Sequence, residues 1–576
     1  MAKRPRKNAQ VATTLSSAPQ APSPDVTVAN TTSQQPTSRR MFSLILDASV
    51  RRAFYLVLLA ALYAPLSQLI LAPVYGSIPS TVYHKYGLVV AGMLSFAIKG
   101  YVPIWLDKYF AAFVFWIPVG HFALFQFSST LGNPTGPLIV ECVTLYPLVT
   151  TSIYLATKQL QSLDLSFLDN NIAEAGPSML NYFLFTVFER MFRAILPTWM
   201  GMNKLFTRVG LQMLIATTYT TIVPQSVFWP AFPALIFNAL ANVHAPLQKT
   251  TELLNNTLHL SDYALIDRHE SLTGYISVLQ NNKDNFRVMR CDHSLLGGEW
   301  ILPPNTKRRV AEPVYAVFTM LEAVRLVDRK KPTEQERALN IGLGVGTAPS
   351  ALLAHGVSTT IIELDPTVHR FAVNYFGLPQ NHTAYIDDAI NVVETRKAEQ
   401  QAYYDYIIHD VFTGGAEPVD LFTFEFLSSL SEMLKPDGVI AINYAGDLRM
   451  PSTSLIYRTI NKVFPTCRVF REDEQISEGD TVVDNQDDFT NMVFFCRKNT
   501  IPVEFRKPVE ADFLGSKSRK AYMVPKHEVP AARFVRAGDL LTRANTKVLE
   551  KLHVASAIGH WQLMRKVMPA TIWENW

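Results

Sequence analysis

The sequence predicts an α-helical membrane domain followed by an α/β domain. We expect the α/β domain to consist of a small N-terminal β-hairpin unit and a Rossmann-like sheet. Three observations indicate this order: long charge-free stretches in the first half, a change of composition after about residue 250, and a glycine-rich loop beyond it. The chain has 576 residues, 48% of them hydrophobic and 18% charged. It is therefore long enough for several domains and poor in charge for a soluble protein.

Residues 1–40 are rich in Ser, Thr, Pro, Gln and Ala, with basic clusters near Lys3 and Arg39. Few of them could build an apolar core, so we predict a disordered basic tail. The segment lacks the continuous apolar stretch and the small-residue cleavage site of a secretory signal, and we do not interpret it as one.

Residues 53–83, 109–140 and 209–248 contain no Lys, Arg, Asp or Glu. Each stretch exceeds the roughly 20 apolar residues that cross a bilayer, so we predict a multi-pass transmembrane domain over residues 41–248. Six helices are expected, near residues 53–74, 86–105, 109–130, 137–157, 178–198 and 209–232. A seventh depends on residues 228–243, where prolines could break a long apolar run.

The distribution of Lys and Arg in the short loops bears on topology, because cytoplasmic loops are enriched in both residues. Arg51 and Arg52, before the first predicted span, favour a cytosolic N-terminus, whereas Lys204 and Arg208 oppose it. Six spans would return the C-terminal domain to the cytosol. We therefore expect an integral membrane protein in contact with the lipid bilayer, with a cytosolic C-terminal domain; the sequence does not specify the organelle.

Residues 249–330 are expected to form a linker and a small unit of strands and helix. Residues 275–279 and 286–290 alternate like strands around a polar turn, and a helix is predicted over 314–327. Over residues 331–500, apolar strands alternate with helical stretches, which is typical of a doubly wound sheet. The predicted strands are residues 338–341, 359–364, 383–386, 404–409 and 438–444.

A glycine loop follows the first of these strands. Gly342, Gly344 and Gly346 would let the backbone turn sharply and approach a ligand, and Glu363 ends the next strand 17 residues after Gly346. A carboxylate at that place can accept hydrogen bonds from ribose hydroxyls. The pattern favours a nucleoside cofactor over the alternative, a purely structural glycine turn.

Acidic residues also follow the third and fourth strands. Asp387 and Asp388 come after the third strand, where a carboxylate can accept from an adenine amino group, and Asp410 comes after the fourth. Because the carboxyl ends of parallel strands meet at one edge, these acids should share one crevice with Glu363. Asp410 could serve there as a base or a cation anchor. For Asp387 and Asp388, a helix cap is the structural alternative.

In this order, the motifs resemble those of the spermidine synthase family, the aminopropyltransferases, over about residues 270–500. The matching segments are residues 290–298, 341–347, 362–365, 386–389 and 409–412. The resemblance implies that Glu363 holds the ribose, Asp388 the adenine, and that Asp410 deprotonates or orients an attacking amine. It also implies a pocket role for Tyr315.

Three positions depart from the pattern of that family. Val345 stands where the family has an aspartate that holds the amino group of the aminopropyl donor. Thr413 replaces a second acid of the catalytic loop, and Asn443 replaces a glutamine. Because a buried cation without a partner costs several kcal/mol, the departures weaken the recognition of polyamines.

Three functions follow from these residues. The first is transfer of an aminopropyl group from decarboxylated S-adenosylmethionine to a small-molecule amine, with Asp410 as base. The second is a methyltransferase that uses intact S-adenosylmethionine, since the same sheet and glycine loop can bind it. The third is a non-catalytic membrane scaffold or sensor. We expect an enzyme, with aminopropyl transfer as the main prediction.

The cysteines and the C-terminal residues bear on whether the protein binds a metal ion or nucleic acid. Four scattered cysteines suggest neither a zinc site nor a disulfide, so we interpret them as core thiols and expect no metal. Residues 501–576 form a basic extension with a predicted helix at 540–568, whose apolar positions favour packing over nucleic-acid binding. A homo-oligomer is left open.

Overall fold

In the computed structural model of this chain, the described residues are 47–98, 104–163, 169–223, 228–303, 310–329, 335–411, 414–472, 489–535 and 537–576. The predicted basic tail, residues 1–40, lies outside them, and so does Thr413. From Ala48 to Trp576 the described residues form one compact unit.

Up to His259, the regular structure of the described residues is helical. The α-helices are α1 (Ala48–Tyr75), α2 (Ser77–Thr81), α3 (His84–Ala97), α4 (Ile104–Phe125), α5 (Ser128–Leu131), α6 (Thr135–Val143), α7 (Leu145–Gln161), α8 (Asn170–Trp199), α9 (Arg208–Ile222), α10 (Phe232–Leu240) and α11 (Gln248–His259). α1 contacts α7 and α8. Its fully buried positions include Ala60, Ala61 and Ala64, small residues that let helices approach closely.

The predicted segments at residues 53–74 and 178–198 lie within α1 and α8, and those at 109–130 and 137–157 are divided between α4 and α5 and between α6 and α7. The segments at 86–105 and 209–232 begin in α3 and α9, and their residues 99–103 and 224–227 lie outside the described residues. Within the described part of the chain, three helical stretches are long and apolar enough to cross a membrane: Ala48–Tyr75, Asp107–Phe125 and Thr135–Gln161. This criterion rests on length and composition. The membrane domain therefore stays a prediction.

A five-stranded antiparallel sheet follows, with its strands in chain order: β1 (Tyr263–Glu270), β2 (Tyr275–Asn281), β3 (Phe286–Cys291), β4 (Ser294–Trp300) and β5 (Glu312–Pro313). The predicted hairpin is the β2–β3 pair, in which Val278 faces Met289. Both side chains are buried, because one face of this sheet packs near the glycine loop in a shared apolar cluster.

The second sheet has eight strands in the order β13-β11-β12-β10-β9-β6-β7-β8. Its strands are β6 (Arg337–Ile341), β7 (Ser358–Glu363), β8 (Thr383–Ile386), β9 (Tyr404–His409), β10 (Leu434–Asp447), β11 (Thr466–Arg471), β12 (Phe489–Arg497) and β13 (His527–Val529). Neighbouring strands in the part β10-β9-β6-β7-β8 pair in parallel. On the other side of β10, the strands β12, β11 and β13 continue the sheet with antiparallel pairing. The predicted Rossmann-like sheet is confirmed.

Helices cover both faces of this sheet. They are α12 (Ala316–Leu321), α13 (Thr347–Ala354), α14 (Pro366–Tyr375), α15 (Ala389–Arg396), α16 (Phe424–Met433) and α17 (Pro451–Val463). Neighbouring side chains of β9 point to opposite faces, so Ile407 belongs to one apolar cluster with α16 and α17, and Ile408 to another with α12 and α13. Because helices cover both faces, all six residues of β9 are buried, including the polar side chains of Asp405 and His409.

The interpretation of all four cysteines as thiols is wrong for two of them. Cys467 and Cys496 form a disulfide with a Cα–Cα distance of 4.1 Å. They are register partners on the antiparallel strands β11 and β12. Sequence spacing could not reveal the pair, because the two cysteines are 29 positions apart and only the strand register brings them together.

The C-terminal extension contains α18 (Lys517–Tyr522), α19 (Lys547–Glu550), α20 (His553–Val567) and α21 (Ala570–Glu574). The single helix predicted over residues 540–568 is thus wrong in its first part. There the Asn545 side chain accepts a hydrogen bond from the Thr542 backbone at 2.7 Å. Asn and Thr favour such local turns over helix, and the long helix begins only at His553.

Arg290 on β3 connects three parts of the chain. It is 1% exposed, and its guanidinium donates to the carbonyls of Pro73 in α1 (2.7 Å), Asp292 (2.6 Å) and Ile572 in α21. The ring of Trp573 lies 4.9 Å from the guanidinium carbon. Burial lowers the pKa of Arg290 to about 10. One buried cation therefore joins the first helix, the small sheet and the C-terminal segment.

Replacing Arg290 by Met should destabilise this junction. The change keeps much of the side-chain volume but removes the donor to four main-chain carbonyls, those of Pro73, Asp292, Ile572 and Trp573. Each unsatisfied buried group costs about 1–3 kcal/mol. We expect a clearly lower thermal unfolding temperature in detergent, measured by tryptophan fluorescence. Arg370→Met, at an exposed position, is the control and should change little. Equal unfolding temperatures for both variants would contradict the role of Arg290.

Candidate functional site

A cavity of about 660 Å³ lies at the carboxyl ends of the parallel strands. It opens where β6 is flanked by β7 on one side and β9 on the other, so that the chain order reverses. Open α/β sheets bind their ligands at such a switch point. Its lining includes the predicted residues Gly342, Gly344, Glu363, Asp387, Asp388, Asp410 and Tyr315. Gly346 is outside the lining and precedes α13.

The glycine loop is shaped by close backbone approaches. Gly342 and Gly344 have φ values of 79° and 55°, in the region that favours glycine. A Cβ on Gly342 would lie 2.0 Å from the carbonyl oxygen of Asp410, and one on Gly344 would lie 2.3 Å from that of Leu296. The loop therefore requires glycine at both places, because it touches the end of β9 and the strand β4.

Glu363 ends β7 and is 8% exposed. One carboxylate oxygen accepts from the Leu343 backbone N–H and the other from that of Asp365, both at 2.9 Å. Burial raises the pKa of Glu363 to about 7, with a further contribution from the charge of Asp365, while these backbone bonds lower it. The carboxylate is thus held against the glycine loop and still lines the cavity.

Asp387 and Asp388 lie after β8, on the same side of the cavity as Glu363. Both are exposed. Asp388 is the N-cap of α15 and accepts from the Ile390 backbone N–H at 2.8 Å. The structure therefore shows the capping interaction for Asp388, and it also places both acids in the cavity lining, where a ligand could contact them.

Asp410 follows β9, which lies on the other side of β6 from the strand that carries Glu363. Its carboxylate accepts from the Asn443 side-chain amide at 2.8 Å. Removal from water raises the pKa of Asp410 to about 6, and the bond from Asn443 acts against that rise. A carboxylate with this pKa is ionised at neutral pH but can take up a proton more readily than an exposed aspartate.

Tyr315 lines the cavity beside α12, and its ring meets Phe318 edge-on at 5.9 Å. Burial raises the pKa of this phenol, so the hydroxyl keeps its proton.

Val345 is packed in the core. It is 6% exposed and belongs to the apolar cluster of the small sheet, and a Cβ on Gly297 would lie 2.6 Å from its Cγ2. The spermidine synthase family has its anchoring aspartate at this place in the glycine loop, whereas in this chain the residue belongs to the apolar core.

Sequence reasoning assigned no separate role to Asp365, which is fully buried beside Glu363. It caps α14 and accepts hydrogen bonds from Ser271 and Thr273, which lie in the turn between β1 and β2. Asp365 thereby ties the small sheet to the strand end that carries Glu363. An aspartate directly before Pro366 is a helix-start signal that could have indicated the cap, but only the fold shows the second contact.

Within the described ranges, no group of three or more His, Cys, Asp and Glu side chains is arranged to hold a metal ion. The lining offers carboxylates, backbone amides and apolar side chains, which are groups that can bind a nucleoside cofactor. These groups fit S-adenosylmethionine, whose ribose and adenine present hydroxyl and amino donors to carboxylates.

Residues 318–471 match the family model of the spermine/spermidine synthase domain. The chain is 47% identical over 544 residues to the N-terminal histidine N-methyltransferase of Emericella nidulans, covering 90% of this chain and 96% of the relative. It is 29% identical over 194 residues to the polyamine aminopropyltransferase of Vibrio vulnificus, 33% of this chain and 60% of that protein. A solved probable spermidine synthase from Corynebacterium glutamicum is 17% identical, covers 48% of this chain and 96% of its own, and has a TM-score of 0.35.

These findings correct the main functional prediction. Aminopropyl transfer is wrong, because the relative that matches nearly the whole chain is a methyltransferase, whereas the aminopropyltransferase matches only 33% of it. The packing of Val345 in the core supplies the physical reason, since no acid at that position can hold the amino group of an aminopropyl donor. S-adenosylmethionine is the cofactor that a methyltransferase implies.

Two other predictions are confirmed. The chain is an enzyme of the transferase class, and its C-terminal part has the resemblance to spermidine synthases that the sequence motifs indicated. By a similarity that extends over 90% of its length, the chain belongs to the family of the N-terminal histidine N-methyltransferase, with a spermine/spermidine synthase domain in its C-terminal part.

Proposed function

We propose that this protein transfers a methyl group from S-adenosylmethionine to a nitrogen of an N-terminal histidine in a polypeptide. The observation that carries the proposal is a single cavity with a nucleoside end at Glu363 and an acceptor end at Asp410, without an acid at Val345. The name of the relative that covers most of the chain supports this choice of acceptor.

The nucleoside end would bind the cofactor through carboxylates. Glu363 is positioned to accept from the ribose hydroxyls, because its backbone bonds fix it against the glycine loop. Asp388, with Asp387 beside it, would accept from the adenine amino group while capping α15. Gly342 and Gly344 allow the backbone to approach the ligand without a side chain between them.

The acceptor end would act on the nitrogen nucleophile. S-adenosylmethionine supplies an electrophilic methyl carbon on a sulfonium, and an N–C bond forms as the C–S bond breaks and its electron pair passes to sulfur. Asp410 would accept a hydrogen bond from an N–H group of the substrate and so orient the nitrogen lone pair. It would then take up the proton that this nitrogen loses on methylation. Asn443 holds the carboxylate in place with its amide. Tyr315 borders the same space with a neutral hydroxyl.

The purified protein tests this proposal directly. A peptide that begins with histidine should gain one methyl group in the presence of S-adenosylmethionine, as detected by mass spectrometry. The same peptide with alanine in place of the histidine is the matched control and should gain none. Absence of methylation on every histidine peptide, with intact cofactor binding, would rule out the proposed acceptor.

Glu363→Gln should weaken cofactor binding about tenfold, since hydrogen bonds to a charged group contribute about 1.5–3 kcal/mol. The raised pKa of about 7 adds a pH dependence. A carboxylate accepts from ribose best when ionised, so the affinity of the wild-type protein should fall as the pH drops through 7. Calorimetry across pH 6–8 measures both effects. If the glutamine variant kept the same pH dependence, another group would be responsible.

Asp410→Asn should lower kcat by about 100 to 10,000-fold, the usual contribution of a general base, with cofactor affinity within about threefold. Asp284→Asn, at an exposed carboxylate outside the cavity lining, should keep the rate. In the wild-type protein, kcat/KM should decrease below a pH of about 6, where Asp410 becomes protonated.

Asn443→Leu removes the hydrogen bond that lowers the pKa of Asp410. The midpoint of the pH profile of kcat/KM should therefore move to higher pH. An unchanged midpoint would show that Asp410 is not the group that titrates.

We further propose that residues 41–248 insert into a membrane as a multi-pass domain. Three helical stretches are long and apolar enough among the described residues. In addition, α8 exposes an apolar stripe at Met179, Phe183, Val187 and Met191, with exposures of 71%, 61%, 45% and 42%. Their spacing of four residues places them on one side of the helix, where lipid would cover them.

Alkaline carbonate extraction tests the insertion: the full-length protein should stay in the membrane pellet, and its recovery in the soluble fraction would refute it. The side on which the C-terminal domain lies needs a separate measurement. The arginines before the first span favour a cytosolic N-terminus, and six spans would then place the C-terminal domain in the cytosol too. The Cys467–Cys496 disulfide is instead typical of an oxidising compartment. Protease protection in sealed vesicles, with and without detergent, distinguishes the two sides.

A further inference from the structure

One face of α20 forms a wall of the cavity. His560, Leu563, Met564 and Val567 all line it, and their spacing of three and four residues places them on the same side of the helix. Leu563 and Val567 are 42% and 44% exposed. Two large aliphatic side chains in the described lining are therefore open to the cavity instead of being packed into a core.

The other side of α20 is fixed to the N-terminal helices. The Trp561 indole donates to the carbonyl of Val74 in α1 at 2.9 Å, and the Arg565 guanidinium donates to the Ser128 hydroxyl of α5 at 2.8 Å. Arg565 also donates to the His293 ring at 3.2 Å. These bonds hold the orientation of the helix, so the lining side chains keep a defined position.

α20 also packs against the segment that begins at Gly414. A Cβ on Gly415, which has a φ of 93°, would lie 2.7 Å from the Cα of Ala557 and from the Cβ of His560. The next residues of that segment, Pro418, Val419 and Leu421, line the same cavity as α20. The passage beyond Asp410 is thus lined by apolar side chains from α20 and from this segment.

We propose that this passage binds the residues that follow the N-terminal residue of the acceptor polypeptide, with Leu563 and Val567 as the surface that selects apolar side chains. The inference rests on the proposed function. A terminal residue whose nitrogen reaches Asp410 must leave the rest of its chain in the cavity, and the apolar surface continuous with that site is the α20 wall. Covering exposed aliphatic side chains would contribute to acceptor affinity but not to cofactor affinity.

The test compares Leu563→Asp with Gln562→Asp. Gln562 is exposed on the same helix and lies outside the lining, so both variants add one negative charge to α20. We expect Leu563→Asp to raise KM about tenfold for a histidine peptide with apolar residues at its second and third positions, which corresponds to about 1.4 kcal/mol. kcat and the Kd of S-adenosylmethionine should stay within about threefold. Gln562→Asp should match the wild type in all three quantities.

The substrate provides a second comparison. Replacing the apolar residues of the peptide by serine should raise KM for the wild-type protein and much less for Leu563→Asp, because the contact is already lost. An unchanged KM for Leu563→Asp would overturn the inference while leaving the proposed function standing. Release of Leu563→Asp from membranes, with KM unchanged, would instead identify this face as a lipid contact. A wild-type protein that methylates no histidine peptide would refute the proposed function itself.

Discussion

The arrangement around Arg290 is the constraint on which the cavity depends. A guanidinium that is almost fully buried needs acceptors for its donors, and here main-chain carbonyls from α1, from the β3–β4 turn and from α21 provide them. Such a cation stabilises the fold only while all these segments are in place, because an unpaired buried charge is costly. The first helix, the small sheet and the C-terminal segment are therefore fixed relative to one another. The cavity lining includes Gly76, directly after α1, Ser294 of β4 and Leu563 of α20.

The cavity separates two carboxylates that differ in their partners. Glu363 is held by backbone N–H groups of the glycine loop and of Asp365, which suits a group that recognises a ligand without moving. Asp410 is held by one side-chain amide, so more of its hydrogen-bonding capacity is open to an acceptor. Burial raises the pKa of both, to about 7 and about 6. Perturbed carboxylates at both ends of one cavity are typical of a site that binds at one end and reacts at the other.

A comparison with aminopropyltransferases shows how one fold can support a different transfer. The glycine loop, the strand-end glutamate and the acid after β9 are shared features of the motif pattern, whereas Val345 is packed with Gly297 in the core of the small sheet. The absence of a single acid removes the anchor for a donor amine, while the glycine loop, Glu363 and Asp410 still line the cavity. Function in this family of folds is set by such local residues and not by the sheet itself.

Local sequence patterns were enough to predict the order of the main elements, the Rossmann-like sheet and the cluster of Gly342, Glu363, Asp387, Asp388 and Asp410 at one edge, because apolar periodicity and strand-end chemistry are local properties. Three other features arise only in the folded chain. Strand register paired Cys467 with Cys496, distant packing turned Val345 into a core residue, and α20 reached the cavity from the far end of the chain. Each depends on contacts between residues far apart in sequence, and no local pattern encodes which distant partner a side chain will meet.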